Sequence, residues 1–215
     1  GLHALQRQGR THRGDEGMTL VKICGLRRSE DIAAVNSLHP DMVGFVFYGP
    51  SRRCVSKEKA AELSSMLDGD IRRVGVFVDE DPLVVADLVD SGIIDTVQLH
   101  GVEDEAYIHG LKKLVDVPVI KSFIIRGRGD LEAAERSSAD MILLDAGKGS
   151  GTRFDWSVLD GFERDYILSG GLGPDNISEA VERLHPFGLD VSSGVETDGF
   201  KDPAKMTAFV SRART

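Results

Sequence analysis

The feature that most restricts the fold of this chain is a repeated alternation of two kinds of segment. Short runs rich in Val, Ile, Leu and Phe alternate with amphipathic stretches of about ten residues, an order typical of βα units repeated around a parallel sheet. Eight runs have the composition and length of buried strands: residues 20–24, 42–47, 72–78, 96–100, 118–124, 141–145, 166–170 and 189–193. The sequence therefore predicts a parallel sheet of eight strands.

Helices fit into the intervals between these strands. The predicted starts lie near Ser29, Ser56, Asp81, Glu103, Asp130, Phe154 and Pro174, with a last helix after Asp202. Eight βα units in about 200 residues predict a compact α/β protein, a single-domain (β/α)8 TIM barrel. A doubly wound open sheet is the alternative. It is disfavoured because the first βα turn reads CGLRRSE, without the GxGxxG pattern of dinucleotide-binding folds.

The predicted barrel domain covers residues 18–215, and residues 1–17 precede it. These seventeen residues are polar, rich in Gly and Arg, and lack the apolar core of a secretory signal. We expect them to form a disordered tail or a segment foreign to the natural protein, since Met18 stands directly before the first strand.

Composition narrows the classes of function. The formal charge of −9 and a pI near 5.2 disfavour nonspecific nucleic-acid binding, so any phosphate must be bound by a local site. No apolar stretch approaches the ~20 residues that a membrane span needs. Cys24 and Cys54 stand apart, with no CxxC motif and no Cys/His cluster, which argues against a disulfide scaffold and a metal site. We expect a cytoplasmic protein without a metal.

Unusual polar residues occur where the predicted strands end. In a (β/α)8 barrel the active site lies at the carboxyl ends of the strands, so these residues converge on one face. They are Cys24 at strand one, Arg52 and Arg53 after strand two, Gln98 and His100 in strand four, Asp145 in strand six, and Asp190, Ser192 and Ser193 in strand eight. Each has an ordinary structural explanation alone, but their collection at one face predicts a catalytic site.

Two glycine-rich turns follow the last two strands, LSGGLGPDN at 168–176 and VSSGVETDG at 191–199. Glycine lets backbone N–H groups approach a ligand, and the N-terminus of a short helix completes an anion site, which is a common phosphate site of these barrels. The predicted phosphate-binding residues are Gly170, Gly171, Ser193 and Gly194.

Seven segments, taken together and in order, resemble the phosphoribosylanthranilate isomerases of tryptophan biosynthesis. The segments are VKICGL, GFVFYGPSRR, VGVFVDE, VQLHG, LLDAGKGSGTRFDW, LSGGLGPDN and DVSSGVETDGFKD. The resemblance implies an Amadori rearrangement of N-(5-phosphoribosyl)anthranilate to 1-(2-carboxyphenylamino)-1-deoxyribulose 5-phosphate, without a cofactor. It also implies a small phosphorylated substrate, no nucleic-acid or membrane partner, and a monomer.

The resemblance also assigns roles to individual residues. The cysteine of KICG, Cys24, is the implied general base, and the aspartate that ends LLD, Asp145, is the implied general acid. Arg53 is the implied ligand of the anthranilate carboxylate. The predicted substrate-binding set is completed by Lys22, Gln98, His100 and Asp190. Lys22 shares the inward face of its strand with Cys24, so we expect nearby cations to lower the pKa of the thiol.

Two other functions stay open on the sequence alone. The related sugar isomerase of histidine biosynthesis, or a bifunctional relative, calls for an aspartate at the end of strand one, where this chain has Cys24. A phosphate-binding barrel without catalysis is disfavoured because both Cys24 and Asp145 are present.

Three positions depart from the family pattern. Arg27 stands where a threonine is common, Cys54 stands where an aromatic residue is usual, and Lys148 replaces a glycine. Lys148 belongs to AGKGSGTRFDW, residues 146–156, which we expect to form a mobile lid over the sugar.

Overall fold

The computed structural model describes residues 19–145 and 155–215, and its eight parallel strands close into a barrel in sequence order. The strands are β1 (Leu20–Cys24), β2 (Met42–Val46), β3 (Arg72–Phe77), β4 (Thr96–Leu99), β5 (Val119–Ile124), β6 (Met141–Asp145), β7 (Tyr166–Ser169) and β8 (Gly188–Val191). The predicted (β/α)8 barrel is confirmed. The predicted tail, residues 1–17, and most of the predicted lid lie outside the described residues.

Seven α-helices are present in the described part of the chain, and they follow all strands except β6. They are α1 (Ser29–Leu38), α2 (Lys57–Ser65), α3 (Pro82–Asp90), α4 (Glu105–Leu111), α5 (Arg128–Arg136), α6 (Ile177–Leu184) and α7 (Pro203–Ala213). Three of the predicted starts are N-caps: Ser56, Asp81 and Asp202 each accept a hydrogen bond from a backbone N–H of the first turn. The polar capping residues therefore predicted the first residue of each of these helices to within one position.

The predicted start at Ser29 is confirmed, because Ser29 is the first residue of α1. Three other predicted starts need correction. Helix α4 begins at Glu105, because Asp104 caps it by accepting from the Tyr107 N–H, while Glu103 is buried in an ion pair with Lys121 at 2.8 Å. Helix α5 begins ahead of Asp130, whose Oδ2 accepts the N–H groups of the residues just before the helix. The helix predicted after Pro174 begins at Ile177, because residues 174–176 form a turn.

No α-helix lies between β6 and β7 in residues 155–165, although a helix is predicted from Phe154, a position outside the described residues. The segment forms one 3₁₀ turn, Trp156–Leu159. Asp155 caps it by accepting from the Ser157 N–H at 3.0 Å, and the Trp156 side chain is buried beneath it. Asp155 and Trp156 therefore cap and anchor a single turn and not a helix.

Five of the eight predicted strands were too long at their carboxyl ends, while β1, β5 and β6 end where they were predicted to end. Residues 192 and 193, assigned to the last strand, leave the sheet, and Ser193 begins a second 3₁₀ turn, Ser193–Val195. This turn leads into an antiparallel hairpin between β8 and α7, formed by β9 (Glu196–Thr197) and β10 (Phe200–Lys201). The hairpin extends over the carboxyl end of the barrel close to β1 and β2, since the Arg52 and Arg53 side chains contact its Glu196.

The barrel has an apolar layer between sheet and helices and a mixed interior. Apolar interior side chains form one cluster: Cys24, Met42, Val46, Val74, Val76, Ile120, Leu143 and Ile167. Polar side chains share this interior, and Lys22 of β1 pairs with Asp190 of β8 where the first and last strands meet. Among the described helices, none combines the length and apolar composition needed to cross a bilayer.

Candidate active site

Cys24 ends β1 and is almost fully buried. The Ser192 hydroxyl donates a hydrogen bond to its backbone oxygen at 3.0 Å, which ties the end of β1 to the loop after β8. Burial raises the pKa of the thiol above its ordinary value, although the cations of Lys22 and Lys201 act to lower it. The predicted lowering of the Cys24 pKa is therefore wrong, because desolvation outweighs the cations.

Lys22 has no exposed surface and is paired with Asp190, which Ser169 in turn holds in place. Its ammonium lies 2.6 Å from Asp190 Oδ1, and the Ser169 hydroxyl donates to Asp190 Oδ2 at 3.0 Å. Burial alone lowers the pKa of Lys22, but the charge and hydrogen bonds of Asp190 and Cys24 raise it above its ordinary value. Cys24 thus lies beside a lysine held in its charged form.

A second group of side chains spans β4, β5 and β6. His100 Nε2 lies 3.5 Å from Asp145 Oδ2, at the end of β6. Gln98 is buried behind the imidazole, with its Nε2 at 3.0 Å from His100 Nδ1 and at 3.1 Å from Ser122 Oγ. The structure therefore brings the predicted residues Gln98, His100 and Asp145 into one continuous chain of contacts.

Glu196 of the hairpin gathers the basic residues of the site. The Nε and Nη2 atoms of Arg53 donate to its two carboxylate oxygens at 2.7 and 2.8 Å, and Arg52 and Lys201 contact it at 2.7 and 2.8 Å. Burial acts to raise the pKa of Glu196, but the hydrogen bonds of Arg53 and Lys201 lower it to about 2. Arg53 is therefore held in a fixed direction by a carboxylate that stays ionised.

The two glycine-rich turns contact each other. Gly171 has a φ of +67°, and a Cβ there would meet open space. A Cβ on Gly194 would lie 1.9 Å from the backbone oxygen of Leu172, so only glycine allows this close approach. Within the described residues, no other backbone group bonds the N–H groups of Gly171, Ser193 and Gly194. These N–H groups are accordingly available to an anion.

Comparison with known proteins decides between the functions that the sequence leaves open. The family model described as "N-(5'phosphoribosyl)anthranilate (PRA) isomerase" matches residues 21–212. The chain belongs to this family.

Individual relatives agree with this assignment. The N-(5'-phosphoribosyl)anthranilate isomerase of Acetivibrio thermocellus is 45% identical over 212 residues, covering 92% of this chain and 96% of the relative. A crystal structure of phosphoribosyl anthranilate isomerase in complex with reduced 1-(o-carboxyphenylamino)-1-deoxyribulose 5-phosphate has a TM-score of 0.82 and 37% identity, covering 91% of this chain and 98% of the other. The structure of mutually generated monomers of the dimeric Thermotoga maritima isomerase has a TM-score of 0.81 and 36% identity, with the same coverage.

Two residues of the candidate site were not predicted from the sequence, Glu196 and Lys201. Both lie in VSSGVETDGFKD, a segment that carries the resemblance, but their function depends on the hairpin turning back over Arg53. The available signal was a glutamate within the glycine-rich turn VSSGVETDG. Among the described residues no group of three or more His, Cys, Asp or Glu side chains is arranged to hold a metal ion.

Proposed function

We propose that this isomerase rearranges N-(5-phosphoribosyl)anthranilate with Cys24 as general base and Asp145 as general acid. The observation that supports the pair most directly is their placement. Both end strands on the carboxyl face of the barrel, and β1 and β6 have only β7 and β8 between them on the shorter way round. An acid and a base can therefore act on different sides of one bound sugar.

The proposed steps balance in protons. Asp145 gives its proton to the furanose oxygen, the bond from that oxygen to C1 breaks, and the nitrogen lone pair forms a C1=N iminium. The Cys24 thiolate then removes the proton from C2, and the electrons of that bond neutralise the iminium to give an enaminol. Transfer of the enol proton to C1 gives the ketone, and solvent returns the proton from Cys24 to Asp145. No electron acceptor or cofactor is needed.

The basic residues around Cys24 are proposed to support the thiolate and the substrate carboxylate. Lys22 is charged and adjacent to the thiol, and Asp190 fixes its position. Because Glu196 occupies the Nε and Nη2 side of Arg53, the Nη1 side of the guanidinium remains for the anthranilate carboxylate. Lys22 and Gln98 have essentially no exposed surface, so we propose that they act through Cys24 and His100 rather than by direct contact with substrate.

The phosphate is proposed to bind at Gly170, Gly171, Ser193 and Gly194. The two turns contact each other there, and Ser193 begins a 3₁₀ turn whose backbone dipoles favour an anion. We propose a cytoplasmic location, which suits a chain whose two described cysteines are free and whose substrate is phosphorylated. The predicted monomer stays a prediction, and the Thermotoga maritima relative is described as dimeric.

The test is an activity assay with freshly made phosphoribosylanthranilate, followed by the change in anthranilate fluorescence. The protein should convert it, and Cys24→Ala and Asp145→Asn should each lower kcat by at least ~100-fold, the range of general acid–base groups. Cys54→Ser and Asp160→Asn are matched controls, because both residues are exposed, and they should keep full activity. A Cys24→Ala or Asp145→Asn variant with near wild-type turnover would remove that residue from the mechanism.

A further inference from the structure

The contacts that end at Asp145 begin deep in the barrel interior. Gln98 and Ser122 are buried on β4 and β5, and the amide nitrogen of Gln98 lies within hydrogen-bond distance of both Ser122 Oγ and His100 Nδ1. On its other side the imidazole presents Nε2 to Asp145 Oδ2. Any change in how Gln98 bonds His100 is therefore transmitted to the carboxyl group.

The orientation of the Gln98 amide follows from the partners on each side. The Nε2 side faces His100 Nδ1 and Ser122 Oγ, each of which is able to accept a hydrogen bond, whereas Oε1 is buried and has no hydrogen-bond partner within the described structure. Turning the amide over would place two N–H donors where Oε1 now lies. A buried N–H without a partner is rarer in proteins than an under-satisfied oxygen, so the orientation with Nε2 toward His100 is favoured.

We infer that Gln98 is a positioning residue that keeps the proton of His100 on Nε2. An N–H donor from Gln98 at Nδ1 requires a lone pair on that nitrogen, because a proton there would face another proton. The neutral imidazole must then carry its proton on Nε2, the atom that faces Asp145.

This tautomer has a consequence for the acid, and the consequence rests on the proposed role of Asp145. His100 can donate to Asp145 Oδ2 but cannot accept a proton from it, so whenever Asp145 is protonated its proton is carried on Oδ1. In the opposite tautomer Nε2 would be an acceptor, and it would bind the proton that the substrate needs. Gln98 thereby keeps the acidic proton for the sugar.

The tautomer can be measured without activity, by nitrogen NMR of protein labelled at histidine. Spectra are recorded above neutral pH, and the His100 signal, one of six histidines in the sequence, is assigned by its loss in His100→Asn. Wild-type protein should show a protonated Nε2 and an unprotonated Nδ1.

In Gln98→Glu the carboxylate can only accept, so the proton should move to Nδ1. Gln98→Met offers no donor and should give both tautomers. Ser122→Ala is the matched control and should keep the wild-type tautomer, because the contact between Gln98 and His100 remains.

Kinetics of the same variants separate positioning from a merely structural role. Gln98→Glu should lower kcat by ~10-fold or more, part of what a general acid contributes, while KM changes little. Gln98→Met should fall between Gln98→Glu and wild type. A wild-type His100 protonated on Nδ1, or a loss of kcat with no change of tautomer, overturns the inference. Failure of the proposed function would give a different result. Asp145→Asn would keep its turnover, while the His100 tautomer would still change in the Gln98 variants as described.

Discussion

At the scale of single residues, the pKa of Cys24 differs from what its neighbours in the sequence indicate. A lysine two positions away predicts a thiol of lowered pKa, yet burial raises that pKa above its ordinary value. The local sequence shows Lys22 but not Asp190, which is 166 positions after Cys24 and lies beside both residues in the fold. The charge of Asp190 raises the pKa of Cys24 and so opposes the effect of Lys22. The strand pattern therefore predicted the position of Cys24 at the end of β1, while the protonation of its thiol depends on long-range packing.

The raised pKa gives the first prediction. Because the free enzyme holds Cys24 as a thiol at neutral pH, the fraction of thiolate grows as pH rises toward the raised pKa, and kcat/KM should rise with it on the alkaline side. Ultraviolet absorbance of the thiolate, measured in Cys54→Ser, reports the ionisation of Cys24 directly, and Cys24→Ala/Cys54→Ser is the blank. A midpoint of the Cys24 titration below the ordinary thiol value of ~8.5 would contradict this prediction.

At the scale of elements, the hairpin β9–β10 determines how Arg53 is presented. Each strand of the hairpin is only two residues long, but the hairpin places Glu196 and Lys201 in buried positions beside Arg53. Sequence patterns predict elements from periodicity, and two-residue strands have too few residues to show one. This is why the eight barrel strands were predicted and the hairpin was not.

The second prediction tests this arrangement. Arg53→Ala should raise KM for phosphoribosylanthranilate by roughly 10- to 100-fold, because a charged hydrogen bond contributes about 1.5–3 kcal/mol. Glu196→Gln should raise KM in the same direction by a smaller factor, since it loosens the guanidinium without removing it. Arg52→Ala is the control, because Arg52 is the more exposed partner of Glu196. Two inhibitors, one with the carboxylate and one without it, complete the test. The inhibitor without the carboxylate should bind Arg53→Ala and wild type alike, whereas an equal loss of affinity for both inhibitors would indicate a structural role of Arg53.

The third prediction concerns the phosphate turns. Gly171→Val should weaken binding of the phosphorylated product by more than ~10-fold, about 1.4 kcal/mol, because a branched side chain strains a backbone at positive φ and moves the N–H groups. Gly194→Val is unsuitable for this test, since its Cβ would clash with the Leu172 oxygen and disturb the fold itself. The dephosphorylated product is the control ligand. If Gly171→Val binds the phosphorylated product as wild type does, the phosphate assignment to this turn is wrong.

At the scale of the whole molecule, barrel closure brings together residues that are far apart in sequence. The closing contact between β1 and β8 aligns Lys22 with Asp190 inside the barrel, and Cys24 and Asp145 end their strands on one face. The alternation of βα units and the absence of GxGxxG were enough to predict this architecture. They could not predict which interior positions carry paired charges, because the register between first and last strands is set only when the barrel closes.

The buried pair of Lys22 and Asp190 therefore gives a prediction about global stability. Lys22→Met leaves the Asp190 carboxylate buried without its counter-ion, and breaking such a pair costs about 3–5 kcal/mol of unfolding free energy. The double variant Lys22→Met/Asp190→Leu removes both charges and should recover much of that loss, because apolar side chains of similar size can replace a buried ion pair. Lys57→Met breaks the exposed pair with Asp87 and should cost less than ~1 kcal/mol. Urea unfolding followed by circular dichroism measures all three. Equal losses for Lys22→Met and Lys57→Met would show that the pair at the closing seam does not stabilise the barrel, and the β1–β8 ladder would then depend on backbone pairing and apolar packing alone.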